Sequence, residues 1–71
     1  MIKHREQMIL KYIIQFKQCN QYSPTVTEIM DGLNTRSYSY VTEGLENLRS
    51  AGYISYKDKK PRTIKVLKFI A

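Results

Sequence analysis

Two groups of polar side chains in the second half of this 71-residue sequence have types and spacings suited to chemistry. One combines an arginine, hydroxyls, tyrosine rings and a carboxylate in a short run: Arg36, Ser37, Tyr38, Ser39, Tyr40, Thr42 and Glu43. The other is a set of cations: Lys57, Lys59, Lys60 and Arg62. Such side chains donate and accept hydrogen bonds and attract anions, so both groups suit the binding of a polar or negatively charged partner.

Catalysis needs residues that this sequence does not bring together. It has one histidine, His4, and one cysteine, Cys19, and its carboxylates are scattered. The sequence contains no paired acid and base, no set of metal ligands and no glycine-rich phosphate loop. We therefore expect a protein that is not an enzyme and uses no cofactor, metal or small-molecule ligand, and we assign Cys19 no role.

The charge balance favours a polyanionic partner. Twelve lysines and arginines against six aspartates and glutamates give a net charge of +6 at pH 7. The alternative is that the excess lysine only makes the surface soluble, and the position of the charges must decide between the two.

A single cysteine excludes an internal disulfide, and the apolar stretches are far shorter than the roughly 20 residues of a membrane span. We expect a cytoplasmic protein.

The N-terminal segment has the apolar pattern of an amphipathic helix over residues 4–19. Ile9, Ile13 and Phe16 recur at i, i+4 and i+7, with Tyr12 beside them. A loop follows and ends at Pro24, because proline disfavours helical geometry in the residue before it. With 42% hydrophobic residues and a length typical of one small core, the whole chain, residues 1–71, is predicted to form a single domain.

A second, short helix is predicted to begin after Thr25. Thr25 and Glu28 have the spacing of a capping box, in which each side chain accepts a hydrogen bond from the other residue's backbone amide. Gly32 and Asn34 suit a left-handed end to this helix. Its apolar positions recur with helical spacing: Val26, Ile29 and Leu33.

A third helix and a β-hairpin complete the predicted fold. Ser37 is the expected N-cap of the helix and Gly52 its C-terminal stop, and the inward stripe is Val41, Leu45 and Leu48. Residues 53–56 and 63–67 are rich in β-branched and aromatic side chains, which predicts two strands joined by the polar segment 57–62. Three helices followed by a two-stranded hairpin wing is the order of an α+β winged helix-turn-helix domain.

This order of elements predicts binding to double-stranded DNA. The major groove admits a helix, and in a helix-turn-helix the N-terminal end of the second helix of the pair meets the base edges. The run from Arg36 to Glu43 would occupy that end, while the cations of segment 57–62 would reach phosphates or an adjacent minor groove. We therefore expect a sequence-specific transcriptional regulator, a repressor, of bacterial or phage origin. Simpler alternatives are that Ser37 is only a cap, that Tyr40 belongs partly to the core, and that the remaining side chains are solvated.

A protein-interaction module, of inhibitor or anti-repressor type, is the second hypothesis. Tyrosine is enriched at protein interfaces, and four tyrosines lie in the third predicted helix and the first predicted strand: Tyr38, Tyr40, Tyr53 and Tyr56. The positive charge argues against this hypothesis. A stoichiometric protein partner without any shift of DNA in a gel would favour it.

Residues 23–67 resemble the N-terminal DNA-binding domain of the LexA family of SOS repressors. The resemblance rests on a PTxxEI segment from Pro24 to Ile29 and on later positions with the family's spacing: Leu33, Arg36, Ser37, Glu43, Leu45, Leu48, Gly52 and Ile54. It implies that the base-reading positions are Ser37, Ser39, Tyr40, Thr42 and Glu43. A Tyr-Ser-Tyr run from Tyr38 stands where the family has Pro-Asn-Ala, which implies an operator different from the SOS box.

The resemblance also bears on regulation. The family's second domain cleaves itself with a Ser-Lys dyad and supplies dimerisation, and nothing after Leu67 resembles it, so we expect no induction by self-cleavage if this chain is the whole protein. A homodimer on a palindromic site is expected if the protein regulates like its relatives. Whether Phe69, Ile70 and the first helix would support such a dimer is open.

Overall fold

Three helices precede a two-stranded antiparallel sheet in the structure, a computed structural model that describes residues 3–57, 60 and 62–68. The helices are α1 (His4–Asn20), α2 (Val26–Gly32) and α3 (Tyr38–Ser50), and the strands are β1 (Ile54–Ser55) and β2 (Lys65–Val66). This confirms the predicted winged helix-turn-helix order. Among the described residues, no helix is long and apolar enough to cross a membrane.

Local capping explains where α2 begins and ends. The Thr25 hydroxyl accepts from the Glu28 amide at 3.2 Å and the Glu28 carboxylate accepts from the Thr25 amide at 2.9 Å, which confirms the capping box. At the other end Asn34 adopts a left-handed conformation, with φ of 57°. The Thr35 amide donates back to the Met30 carbonyl at 3.0 Å, closing the helix with a Schellman motif.

The same motif ends α3 and turns the chain into β1. Gly52 has a φ of 83°, a conformation that L side chains adopt rarely. The Tyr53 amide donates to the Leu48 carbonyl at 2.9 Å, and the Gly52 amide to the Arg49 carbonyl at 3.1 Å. Both turns that place α3 are therefore determined by local sequence.

The core lies where the three helices meet the hairpin. In α3 the buried face is the predicted one, and in α2 Ile29 is buried while Val26 and Leu33 pack against the core from its edge. In α1 Ile9 and Ile13 are buried as predicted, but Phe16 is only half-buried outside the core and Leu10 is fully buried. Each arm of the hairpin adds one isoleucine. The buried apolar residues are Ile9, Leu10, Ile13, Ile29, Val41, Leu45, Leu48, Ile54 and Ile64.

Two glycines allow α1 to lie close against its neighbours. A Cβ atom at Gly44 of α3 would overlap the Ile9 side chain, and one at Gly32 of α2 would overlap the Tyr12 ring. The prediction that Gly32 takes part in a left-handed stop was therefore wrong. Gly32 lies within α2, where it accommodates a tyrosine, and Asn34 alone adopts the left-handed conformation.

The hairpin is shorter than predicted. Ile54 pairs with Val66 and Ser55 with Lys65, and the predicted strands 53–56 and 63–67 extend beyond these two pairs. Towards the loop, the Thr63 hydroxyl replaces a backbone ladder: it accepts from the Lys57 amide at 2.9 Å and donates to the Lys60 carbonyl at 2.9 Å. A side chain takes over the hydrogen bonds that a further strand pair would make.

Candidate nucleic-acid interface

The start of α3 presents a row of exposed polar side chains. Ser37 caps the helix, because its hydroxyl accepts from the Tyr40 amide at 3.1 Å, and the same hydroxyl lies 3.4 Å from that of Ser39. Tyr38 is 62% exposed and Tyr40 39% exposed. Thr42, which is half-buried, donates to the Ser39 carbonyl at 3.3 Å. The structure thus leaves these predicted helix-start residues exposed or half-buried around the beginning of α3.

Tyr40 is held from the side by the first turn of α1. The Arg5 guanidinium lies 5.5 Å from the centre of the Tyr40 ring and donates to Glu6 at 2.7 Å. Glu6 is only 2% exposed and also accepts from the Lys3 amide at 3.0 Å and from the Asn47 side chain at 3.4 Å. Burial alone would raise the pKa of the Glu6 carboxyl, but these hydrogen bonds outweigh it and lower that pKa.

A second arginine connects α3 to the hairpin. Arg49 donates to Glu46 of the same helix at 2.8 Å and lies 4.3 Å from the centre of the Tyr56 ring. The Tyr56 hydroxyl in turn donates to Glu46 at 3.5 Å. These three side chains join the end of α3 to the residue that follows β1.

A third arginine connects the hairpin to α2. Arg62 forms two parallel hydrogen bonds with the Glu28 carboxylate, at 2.9 and 3.0 Å, and a third with the Ser23 carbonyl at 3.1 Å. Its guanidinium lies 4.5 Å from the centre of the Tyr22 ring. The hydrogen bonds from Arg62, together with that from the Thr25 amide, lower the pKa of Glu28. The sequence prediction treated Arg62 as a free cation of the wing, whereas the structure engages it within the fold.

Arg36 and Glu43 differ from these paired residues. Neither side chain has an ion-pair or hydrogen-bond partner in the described part of the chain, and both are exposed. They lie at the start of α3, among the hydroxyls. An arginine and a carboxylate left unpaired on one surface can make their hydrogen bonds with a partner molecule.

A groove of about 560 Å³ runs between the start of α2, the outer face of α3 and the hairpin. It brings part of each predicted polar group together: Tyr38, Thr42, Glu43, Lys57, Lys60 and Arg62 all line it. Arg36, Ser37, Ser39 and Tyr40 lie outside it. Lys59, predicted to belong to the wing, falls outside the residues that the structure describes, as do Phe69 and Ile70.

The family model of the LexA DNA-binding domain matches residues 2–63. The chain belongs to the LexA DNA-binding domain family. The domain that this match covers is a DNA-binding one and not a catalytic one, and within the described residues no group of three His, Cys, Asp or Glu side chains could hold a metal ion.

Curated relatives of this LexA-family chain are bacterial regulators. It is 36% identical to the LexA repressor of Carboxydothermus hydrogenoformans over 67 residues, which cover 94% of this chain and 33% of that protein. It is 38% identical to the LexA repressor of Geobacillus thermodenitrificans over 66 residues, covering 93% and 32% of the two chains. A transcription regulator LexA from Synechocystis is 29% identical over 59 residues, 83% and 29% of the respective lengths. The chain thus spans about a third of the length of these relatives.

Sequence reasoning missed three residues that hold this LexA-family surface in place. Glu6 precedes Ile9 and Ile13 with helical spacing, so the pattern that placed them inward could also have placed Glu6 there. The contacts of Tyr22 and Glu28 with Arg62 gave no local signal, because Arg62 comes from the hairpin, far along the chain. Cys19, which was assigned no role, is exposed.

Proposed function

We propose that this LexA-family domain binds double-stranded DNA sequence-specifically and represses transcription by occupying a promoter. The start of α3 lies in the major groove and the hairpin lies along the DNA backbone. The observation that carries the proposal is the unpaired Arg36 and Glu43 on the exposed start of α3, next to a groove whose far side bears Lys57 and Lys60. The relatives' names, repressor and transcription regulator, support the same function.

Base reading falls to the start of α3. A carboxylate only accepts hydrogen bonds and repels phosphates, so Glu43 fits an exocyclic amine such as the cytosine N4 group. Tyr38 and Tyr40 offer rings for a thymine methyl. Arg36 carries the fork geometry that suits guanine or a phosphate. The full proposed set is Arg36, Ser37, Tyr38, Ser39, Tyr40, Thr42 and Glu43.

Positioning on the backbone falls to the hairpin lysines. Lys57, Lys59 and Lys60 neutralise phosphates and release counterions, a contribution that does not depend on the base sequence. Arg62, already bonded to Glu28, is not assigned a phosphate in this proposal. In this proposal the three lysines supply affinity for any duplex, and Arg36 beside α3 contributes to sequence specificity.

Two copies of the protein on a palindromic site complete the proposal. A recognition helix reads only a few base pairs, so a two-fold arrangement doubles the contacts and requires half-sites spaced by about one helical turn or its multiples. The recovered site tests this, because a binding site with two-fold symmetry accommodates two copies in equivalent positions.

Selection of bound sites from a random duplex library is the test. We expect one recovered sequence, bound more tightly than unrelated duplex at the same salt concentration, with affinity falling steeply as salt rises. Equal binding to every duplex at matched salt would contradict sequence-specific binding. Recovery of an asymmetric site would contradict the dimer alone.

The protein-interaction hypothesis receives less support from the structure. Three of the four tyrosines that suggested it lie beside cations of the same chain: Tyr40 by Arg5, Tyr56 by Arg49 and Tyr53 by Lys68. The Tyr53 and Tyr56 rings pack against the core, whereas Tyr40 stays exposed on the surface already proposed to read bases. Tyr38 remains widely exposed, and it lies on the surface already proposed to meet DNA.

A further inference from the structure

We propose that Arg62 and Glu28 act as a clamp that holds the hairpin at the distance from α2 and α3 that DNA binding requires, so that Arg62 is a positioning residue and not a phosphate ligand. This inference rests on the proposed DNA binding. The clamp goes beyond DNA binding because it assigns a role to a residue pair that contacts no DNA.

The geometry of the pair is that of a fixed joint. Two parallel N–H···O bonds hold the guanidinium flat against the Glu28 carboxylate, and the third, to the Ser23 carbonyl, anchors it to the loop before α2. The Tyr22 ring covers the guanidinium at 4.5 Å from its centre. The Arg62 side chain is 41% exposed, but swinging towards a phosphate would break all of these contacts.

The backbone at Arg62 supports the same role. Its φ of 59° is a left-handed conformation that residues with a side chain adopt rarely. Such conformations persist only where the surroundings impose them. The three hydrogen bonds of the side chain supply that constraint, because they fix the end of the hairpin loop against α2.

The clamp reaches the proposed phosphate ligands through one residue. Thr63 follows Arg62, and its hydroxyl bonds the backbone of Lys57 and Lys60 at 2.9 Å each. The order of contact is therefore α2, Glu28, Arg62, Thr63 and the two lysines. Since the groove lies between α2, α3 and the hairpin, the pair sets where the lysines stand relative to the start of α3.

The sign of one substitution separates the clamp from a simple charge effect. Glu28→Gln removes a negative charge from a surface that binds a polyanion, which by itself tightens binding and frees Arg62 to bind a phosphate. Glutamine still serves in a capping box, so α2 keeps its start. If the pair positions the hairpin, the same substitution weakens binding to DNA by roughly two- to fivefold, the range for loss of a partly exposed ion pair.

The experiment measures dissociation constants on the selected duplex at one salt concentration for wild type, Glu28→Gln, Arg62→Gln and the double variant. We expect each single variant to bind more weakly and the double variant to bind no more weakly than either, because both remove one joint. Asp31→Asn is the matched control: it removes the same charge from the same helix, and Asp31 has no ion pair among the described residues. We expect it to bind as wild type or slightly more tightly.

Two results would overturn the clamp. One is tighter binding with a steeper salt dependence in Glu28→Gln, which would make Arg62 a phosphate ligand held back by Glu28. The other is that Arg62→Gln weakens DNA binding by the same factor in the wild type and in Glu28→Gln. Such a result would make the contribution of Arg62 independent of Glu28.

A measurement without DNA separates failure of the clamp from failure of the proposed function. Backbone ¹⁵N relaxation at Lys60 and Thr63 should show greater mobility in Glu28→Gln and in Arg62→Gly, which keeps the left-handed backbone but loses the side chain. Unchanged relaxation would contradict the clamp even if the wild type binds its site. Absent sequence preference in the wild type would contradict the proposed function and leave the relaxation result to decide on the clamp.

Discussion

The two faces of α3 show how one helix divides stability from recognition. The inward face is closed: Val41, Leu45 and Leu48 are buried, and Gly44 brings α1 into contact. The outward face of the same helix exposes Ser39 and Glu43, and among the described residues the Glu43 carboxylate makes no hydrogen bond or close ion pair, only a longer-range attraction to Arg5. Substitutions on one face should therefore change folding without changing the preferred sequence, and substitutions on the other should do the reverse.

The inward face gives the largest expected effect. Leu48→Ala removes a fully buried side chain and leaves a cavity among the helices and β1, so we expect the free energy of unfolding to fall by about 2–5 kcal/mol. Urea denaturation followed by circular dichroism measures it. Ser50→Ala, an exposed position on the same helix, is the control and should change stability by less than about 0.5 kcal/mol. A small loss of stability in Leu48→Ala would mean that neighbouring core side chains move in and fill the cavity.

The close contact between α3 and α1 gives the next effect. Gly44→Val places a branched side chain where a single Cβ already overlaps Ile9, and Ile9 is itself fully buried and has little room to move. Overpacking of this kind costs about 1–3 kcal/mol, more than the few tenths that valine gains over glycine in helix propensity. Thermal unfolding checks this, with Ser50→Val as the matched exposed control. Unchanged stability would show that the two helices separate easily.

The outward face should change sequence preference and leave folding intact. Glu43→Ala removes the proposed acceptor for a cytosine amine, and we expect discrimination at one base pair of each half-site to fall by about 1–3 kcal/mol, with an unchanged unfolding midpoint. Repeating the library selection with the variant measures this. A site recovered unchanged, at every position, would remove Glu43 from the reading surface.

The sequence predicts the inward and outward faces of α3 where the determining residues are close together in the chain, and fails where they are far apart. The capping box at Thr25, the cap at Ser37 and the stop at Gly52 are local features, and the inward stripe of α3 follows from helical spacing, so the three helices and their exposed faces were predictable. The exposed placement of Glu43 follows from the same spacing, whereas Arg36 precedes the Ser37 cap and lies outside the helix. These features lie within a few residues of the positions they determine.

The missed features depend on contacts between distant parts of the chain. Arg62 meets Glu28 across a separation of 34 residues, and no local pattern distinguishes an arginine paired within the fold from a free one. The approach of Gly44 to Ile9 depends in the same way on how two helices cross. Beyond the two strand pairs of the hairpin, the Thr63 hydroxyl bonds the backbone of Lys57 and Lys60, a contact that strand propensity does not describe.

The hairpin lysines sharpen the contrast with the outward face of α3. Lys60→Ala removes one proposed phosphate contact, so we expect the slope of log affinity against log salt to fall by about 0.9 and all duplexes to be weakened alike. Titration of the selected and a scrambled duplex at several salt concentrations measures both quantities. Loss confined to the selected duplex would assign Lys60 to base reading instead.

Glu6 of α1 contacts α3 through Asn47. Its ionisation should give the smallest change in stability, confined to acid pH. Hydrogen bonds from Arg5, the Lys3 amide and Asn47 lower the pKa of this buried carboxyl in the folded state. The folded protein therefore binds a proton there less readily than the unfolded chain. The stability from Glu6 is fully present above the ordinary glutamate pKa of about 4.3 and is lost as pH falls through the lower pKa of the folded state.

Glu6→Gln isolates this contribution. We expect the variant to unfold at lower temperature than the wild type at pH 7, and the difference between the two to shrink as the pH is lowered into the acid range, measured by thermal unfolding from pH 7 to pH 2. Since Asn47 and the Arg5–Tyr40 pair both depend on this carboxylate, protonation loosens contacts on the outward side of α3 while the buried stripe remains packed. A constant difference across the pH range would mean that Glu6 acts through shape alone, and that the boundary between the two faces carries no charge-dependent contact.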